Sequence, residues 1–269
     1  MIEKNIHGVP FLFFENLLVF GNLLHGVSTR NGGVSSAPFA SLNLGADTGD
    51  APELVARNYA IAGSALAFNL SALVSSKQVH GEKIAVIDDA SIGREMFSPE
   101  PLLQGYDGLV TGNTGVTFMV RVADCVPVIL FAPERQIAAV VHAGWRGTLA
   151  GIAGEAVRKM VQHYHADPGD IRAGIGPAIG PCCYCVQEEV ADAFKNAPHL
   201  YPAVFRETRG ELFLNLWEAN RLQLLRQGLS AGNIETAGLC TSCRTDLFFS
   251  HRREEGKTGR FGAFAGLCG

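Results

Sequence analysis

Two histidines and a cysteine occupy positions that the packing of a core does not explain. His80, in Lys77-Gln78-Val79-His80-Gly81, and His142, in Val140-Val141-His142-Ala143-Gly144-Trp145-Arg146-Gly147, each end an apolar run beside a glycine. Cys125, in Ala123-Asp124-Cys125-Val126-Pro127, lies at a third junction between apolar runs. Strand ends are where side chains of an α/β sheet converge, and glycine lets a ligand come close to the backbone. Two imidazoles and a thiolate suit Zn²⁺ or copper, and three protein ligands leave a coordination position for water or substrate. The same residues serve a second chemistry, in which Cys125 is the nucleophile of a thiol hydrolase, His142 or His80 its base, and Asp124 or another carboxylate the orienting group. Against both stands the ordinary fate of such residues, a buried thiol and hydrogen-bonded core imidazoles. Their wide spacing matches no short metal motif.

The other cysteines raise two further readings. Pro181-Cys182-Cys183-Tyr184-Cys185 contains P-C-x-x-C and His80-Gly81-Glu82 contains H-x-E, the two halves of the zinc nucleobase deaminase signature. Those halves belong to one compact unit in such enzymes, whereas about 100 residues separate them here, so a turn with small thiols is the simpler reading. Cys240-Thr241-Ser242-Cys243 is also a C-x-x-C, and with the pair Cys182 and Cys185 it supplies enough thiolates for a structural zinc. The chain has 7 Cys, and the apolar stretch Val9 to Leu24 is interrupted by Glu15 and Asn16 rather than followed by a cleavage site. A reducing, cytoplasmic setting is therefore expected.

For anions, Arg30 lies in Ser28-Thr29-Arg30-Asn31-Gly32-Gly33, and Arg146 stands between Trp145 and Gly147 just ahead of a helical pattern. A helix start preceded by Gly and Arg is a phosphate or carboxylate site, although a solvated ion pair is the commoner role of an Arg. Arg252, Arg253 and Arg260 are weaker candidates, and His163 and His165 read as surface residues.

The elements that must position these groups follow from apolar patterning. Strand-length runs occur at Phe11 to Phe20, Ala72 to Val79, Lys83 to Ile87, Val116 to Val122, Val126 to Phe131, Gln136 to His142 and Ile234 to Leu239. Many are near-continuous, as in strands covered on both faces. Helices are expected over Ala51 to Phe68, with Asp50 as N-cap and Glu53 completing a capping box, and over Leu149 to His165, Gln187 to Ala197 and Leu216 to Gln227, the last capped by Asn215. Val116 to His142 reads as consecutive strands, which makes the sheet mixed, and neither G-x-G-x-x-G nor a P-loop is present. Ser91 to Tyr106 reads as a surface loop, and no linker divides residues 1–269, so one α/β domain is expected.

The 269 residues carry a net charge of −4, spread along the chain, which argues against nucleic acid or an anionic membrane as partner. The uncharged run Asn58 to Ser76 holds too many Asn, Ser and Gly residues for a membrane span. Charged residues are 18% of the chain, low enough for part of the surface to be covered in a small homo-oligomer, with a monomer the alternative.

Gln78-Val79-His80-Gly81, Ala123-Asp124-Cys125-Val126-Pro127, Val141-His142-Ala143-Gly144-Trp145-Arg146-Gly147 and Gly176-Pro177 through Cys182-Cys183-Tyr184 together resemble one family. It is the multifunctional purine nucleoside phosphorylase and adenosine deaminase family, also known as the laccase-domain or polyphenol oxidase family. The likeness runs from Val27 to Phe264 and takes in Ser28-Thr29-Arg30, Leu42-Asn43-Leu44-Gly45 and Ser250-His251-Arg252; it departs at Cys185, where Glu is expected. The resemblance implies a layered α-β-β-α domain with mixed sheets and a catalytic zinc on His80, Cys125 and His142. An anion cradle beside a sugar would come from Arg30 and Arg146 with nearby Gly amides, with Asn43 as a further substrate contact. The implied reactions are phosphorolysis of adenosine, inosine and methylthioadenosine, and deamination of adenosine. Copper-dependent phenol oxidation, the older claim for the family, fits poorly, because several copper centres need more imidazoles than the 8 His of this chain supply. Copper in the zinc site is the simpler source of any oxidase activity.

Overall fold

The apolar runs become two stacked sheets in a computed structural model that describes residues 1–87 and 103–268. The first sheet has the spatial order β1 (Ile2–Ile6), β2 (Val9–Phe13), β3 (Leu23–Ser28), β15 (Phe261–Leu267), β7 (Thr117–Val122) and β4 (Leu73–Val74). The second runs β14 (Ile234–Thr236), β10 (Arg172–Ile175), β8 (Val126–Ala132), β9 (Ile137–Ala143), β6 (Gly108–Thr111) and β5 (Ile84–Val86). Pairing in these sheets is antiparallel except at β4–β7, β5–β6 and β10–β14, so both are mixed, as expected. A small antiparallel sheet of β11 (Cys185–Val186), β13 (Glu211–Leu214) and β12 (Phe205–Thr208) completes the strands.

Strand alternation divides the apolar residues among three cores. On β7, Phe118, Val120 and Val122 meet Ile129 and Phe131 of β8 and Ala138 and Val140 of β9 between the sheets. Val128 and Leu130 of β8 and Ala139 and Val141 of β9 point the other way, onto α4 (Ile152–Tyr164) and α6 (Leu216–Arg226). Phe11, Phe13, Met119 and Phe264 leave the outer face of the first sheet and pack under α2 (Pro52–Leu66). The layers are therefore α-β-β-α, the order that the resemblance implies. No described helix is long and apolar enough to cross a membrane.

Several expectations are corrected. The run Phe11 to Phe20 turns after β2 into a one-turn helix, α1 (Glu15–Leu18), and the run Ala72 to Val79 is a strand only at β4. The helix expected over Leu149 to His165 starts earlier, as α3 (Trp145–Ala150), and restarts as α4 at Gly151, whose φ of 92° ends the first helix. Asp50 does not cap α2: Ala51 is the N-cap, and Asp50 accepts hydrogen bonds from Ser35 Oγ and Asn43 Nδ2. Asn215 does cap α6, accepting from the Glu218 amide at 3.1 Å. The expected helix at Gln187 to Ala197 is α5 (Glu188–Lys195). Of the loop expected at Ser91 to Tyr106, residues 91–102 lie outside the described residues.

Candidate metal centre and active-site cavity

Register places the two ends of this centre. Gly108 of β6 pairs with Val141 of β9, so Asp107, one residue earlier, faces His142, and the His142 amide donates to the Asp107 carbonyl at 2.7 Å. Counting back along β9, His142 shares a face with Val140 and Ala138 and therefore points into the space between the sheets. A one-residue slip would turn it onto the helix layer. Asp107 is fully buried and does two jobs with one carboxylate. Its Oδ1 contacts His142 Nδ1 at 2.8 Å and accepts the His80 amide at 2.9 Å, while Oδ2 accepts the Val79 and Gly81 amides at 3.2 and 2.8 Å. Gln78 pins the same loop to β7, with Nε2 donating to the Arg121 carbonyl and Oε1 accepting from the Arg121 amide, both at 2.9 Å.

Cys125 stands at the turn between β7 and β8 and packs against the edge of the inter-sheet core. Its turn depends on Asp124, which adopts φ 84°, a conformation costly for a residue with a side chain. Thr241 Oγ1 donates to Asp124 Oδ1 at 2.6 Å, and the Arg252 amide donates to Oδ2 at 2.6 Å. Asp124 thus orients backbone rather than an imidazole, and Asp107 is the carboxylate on His142.

The ligand atoms of His80, Cys125 and His142 lie within 4.8 Å of one another. Burial alone would raise the Cys125 pKa, but the charge of His142 and hydrogen bonds from His142 and His80 bring it down to about 6. Burial would likewise lower the His142 pKa, and the Cys125 thiolate with the Asp107 hydrogen bond pushes it up to about 9. In the metal-free site this is a thiolate beside an imidazolium, and a metal that took His142 as a ligand would displace that proton. Glycines give it room. A Cβ on Gly144 would lie 3.0 Å from His80 Cδ2 and 3.1 Å from Cys125 Sγ, and one on Gly147 would lie 2.6 Å from the Gly81 carbonyl. The glycines of His142-Ala143-Gly144-Trp145-Arg146-Gly147 therefore let α3 press on the loop that carries His80.

The three donors line a cavity of about 410 Å³. Lys77, Arg121, Arg146, Arg252 and Arg260 also line it, and among the described residues none of these cations has a carboxylate partner. Arg146 lies over the Trp145 ring at 4.3 Å and Arg252 over Tyr184 at 5.2 Å. Burial pushes the Tyr184 hydroxyl up to about 12, so it stays protonated. Arg146 was expected at this place, and Arg252 and Arg260 were the weaker candidates, whereas Arg253 does not line the cavity.

Arg30 and Asn43 are not brought to the cavity. The Arg30 guanidinium donates to the carbonyls of Ala40, Thr245 and Phe248, pairs with Glu254 at 3.0 Å and lies over Phe249. Asn43 is fully buried, and its Oδ1 accepts from the Gly45 and Arg260 amides, both at 2.9 Å. Both residues brace the segment that presents Arg252 and Arg260.

Sequence reasoning missed Asp107 and Arg121. An acid directly before a strand, and one Arg inside the otherwise apolar run Val116 to Val122, were the available signals. The two halves of the deaminase-like signature do not meet: Cys182 joins Cys183, Cys240 and Cys243 in a separate cluster, and Cys185 is in neither group.

A family model described as multi-copper polyphenol oxidoreductase laccase matches residues 24–268. The chain is 43% identical to purine nucleoside phosphorylase YlmD of Geobacillus stearothermophilus over 92% of this chain and 91% of the relative. It is 35% identical to a purine nucleoside phosphorylase of Bacteroides thetaiotaomicron, covering 93% of each. The crystal structure of YlmD from Geobacillus stearothermophilus superposes with a TM-score of 0.90 at 40% identity, covering 99% of this chain and 98% of that one.

Proposed function

Because the chain belongs to the laccase-like family of the matching model, and relatives within that likeness are named purine nucleoside phosphorylases, we propose that it is a zinc-dependent purine nucleoside phosphorylase with adenosine deaminase activity. Its substrates are adenosine, inosine and methylthioadenosine with phosphate. The observation that carries this reading is a cationic lining with no carboxylate partners among the described residues, beside a three-donor centre.

In phosphorolysis a phosphate oxygen bonds to C1′ of the sugar as the bond from C1′ to the purine nitrogen breaks, and the leaving base takes the electron pair. Arg121, Arg146, Arg252 and Arg260 hold the phosphate oxygens: Arg121, Arg252 and Arg260 each donate to a backbone carbonyl, but none has a carboxylate partner among the described residues, so their charge is free to bind such an anion. Trp145 and Tyr184 offer ring faces to the purine, and Tyr184 Oη donates a hydrogen bond. Asp107 keeps the Nδ1 side of His142 occupied, which leaves Nε2 for the centre. The donor set fits zinc: two imidazoles, one thiolate, a buried carboxylate behind one imidazole and glycine on the crowded side. A zinc ion held there supplies a Lewis acid with a position for water, as hydrolytic loss of the adenine amino group requires. Several copper centres do not fit, because only two of the 8 His meet in this cluster.

A second reading has its own support. The Cys125 thiolate, His142 and Asp107 are arranged as the triad of a metal-free thiol hydrolase. Incubation of metal-quantified protein with adenosine, with and without phosphate, decides between them. Adenine and ribose 1-phosphate formed only with phosphate, inosine formed without it, and loss of both on chelation with recovery on adding zinc are expected. His80→Ala, Cys125→Ala and His142→Ala should bring both reactions to background. Activity that survives chelation supports the hydrolase, and unchanged adenosine with the zinc-loaded protein overturns the purine reading.

A further inference from the structure

Cys182, Cys183, Cys240 and Cys243 form a second donor cluster, with sulfur atoms all within 4.8 Å of one another. Two tight turns meet there. In the first, the Cys183 and Tyr184 amides donate to the Gly180 carbonyl at 2.9 Å, and in the second the Arg244 amide donates to the Cys240 carbonyl at 2.9 Å. A bridge between Ala178 and Cys240 locks the turns together, with the Thr241 amide donating to the Ala178 carbonyl at 3.0 Å. Gly180 allows the approach, since a Cβ there would lie 2.8 Å from the Trp217 ring and 3.2 Å from Cys240 Cβ.

We infer that this cluster is a structural metal site, a tetrathiolate cage for one zinc-class cation separate from the cavity centre. The sulfur spacing carries the inference. Cys182 Sγ and Cys183 Sγ lie 3.6 and 3.4 Å from Cys243 Sγ, far beyond a disulfide bond and close to the ~3.8 Å edge of a tetrahedron built on Zn–S bonds of about 2.3 Å. Amides are in place for sulfur that carries charge. The Gly180 amide donates to Cys240 Sγ at 3.2 Å, and the Cys243 amide donates to the same sulfur. Binding forms four sulfur–metal bonds and releases to solvent the protons of whichever thiols were still protonated. Four protein ligands leave no position for water, which makes the site structural rather than catalytic.

The cage clamps parts of the cavity wall. Tyr184 follows Cys183 directly, and Thr241, beside Cys240, donates to Asp124 next to Cys125. The sequence pairing of Cys182 with Cys185 is thereby corrected to Cys182 with Cys183.

The inference does not depend on the purine reading, and cobalt tests it apart from activity. Metal-stripped, fully reduced protein is titrated with Co²⁺ while thiolate-to-cobalt charge transfer and proton release are followed, and Zn²⁺ is then added to displace the cobalt. His142→Ala, which removes the cavity centre, should retain one equivalent with intense charge transfer and a tetrahedral ligand-field spectrum. Cys243→Ser and Cys183→Ser should lose that equivalent, with folding checked by circular dichroism, and Cys185→Ser should keep it. Absence of the tetrathiolate spectrum from both the wild type and His142→Ala overturns the proposal, as does its persistence in both Cys243→Ser and Cys183→Ser. A disulfide forming between these cysteines in the presence of excess Zn²⁺ also overturns it.

Discussion

The cavity centre and the tetrathiolate cluster are built from the same kind of soft donor and differ in everything around it. His142 of the cavity centre is backed by a fully buried carboxylate, and the donors face an open space lined by cations that have no carboxylate partner among the described residues. The thiol cluster has only backbone amides behind it, two of its four cysteines are exposed, and no position is left over. The difference lies in what stands behind the donors and how many there are. A carboxylate on an imidazole fixes its tautomer and direction for chemistry, whereas a fourth thiolate closes the site and turns it into a clamp.

The sharpest way to break this contrast is at Asp107. Asp107→Asn sets an amide NH₂ against backbone N–H groups or against His142, so the centre should lose 10- to 100-fold in metal affinity or activity. Stability should fall by about 3 kcal/mol, because buried partners are left unmatched. The cobalt spectrum of the thiol cluster should not change; a change there would show that the two sites are one unit. Adenosine turnover, urea unfolding and cobalt titration of the variant read all three.

Acid separates loss of the centre from loss of the fold. His25 is buried, its Nε2 accepts the Phe14 amide at 3.2 Å, and burial drives its pKa down to about 4. The folded state therefore holds His25 neutral where the unfolded chain would be charged. The stability this contributes is fully present above about pH 6.5 and is lost as pH falls towards 4, reaching up to about 3 kcal/mol. His25→Gln should narrow the difference in urea midpoint between pH 7 and pH 4.5. An unchanged difference would place the acid sensitivity elsewhere, the cavity centre included.

The smallest effect is expected at the link between the two regions. Thr241→Val removes the hydroxyl that donates to Asp124, at a cost of about 1 kcal/mol. Metal content should stay the same while turnover falls severalfold, because the Asp124 carboxylate beside Cys125 loses one of the two hydrogen bonds that hold it. Unaltered turnover would mean that the clamp serves the fold alone.

What could be read from the sequence was chemistry at strand ends. His80, Cys125 and His142 stood out because each lies at the end or junction of apolar runs, and Arg146 because it precedes a helix beside glycine; the structure brings all four to one cavity. Asp107 was hidden because its role comes from the β6–β9 register, which no local pattern encodes. Arg30 looked like an anion site because glycine surrounds it, yet the carbonyls that occupy it come from Thr245 and Phe248, far along the chain. The strand β15 was unreadable for another reason. Gly262 and Gly266 break the apolar pattern by which a strand is recognised, but Gly266 is required where a Cβ would lie 2.7 Å from the Val116 carbonyl, at a tight approach within the sheet.

That strand has a consequence for how the molecule is made. Because β15 lies between β3 and β7, a ribosome must deliver residue 267 before the first sheet can join its two halves. Until then the nascent chain carries β1 to β3 and β7 with facing edges unpaired, and Arg260, which precedes β15, has no cavity to enter. Closure of the first sheet thus waits for β15, and until that strand arrives the edges of β3 and β7 are open to wrong pairing.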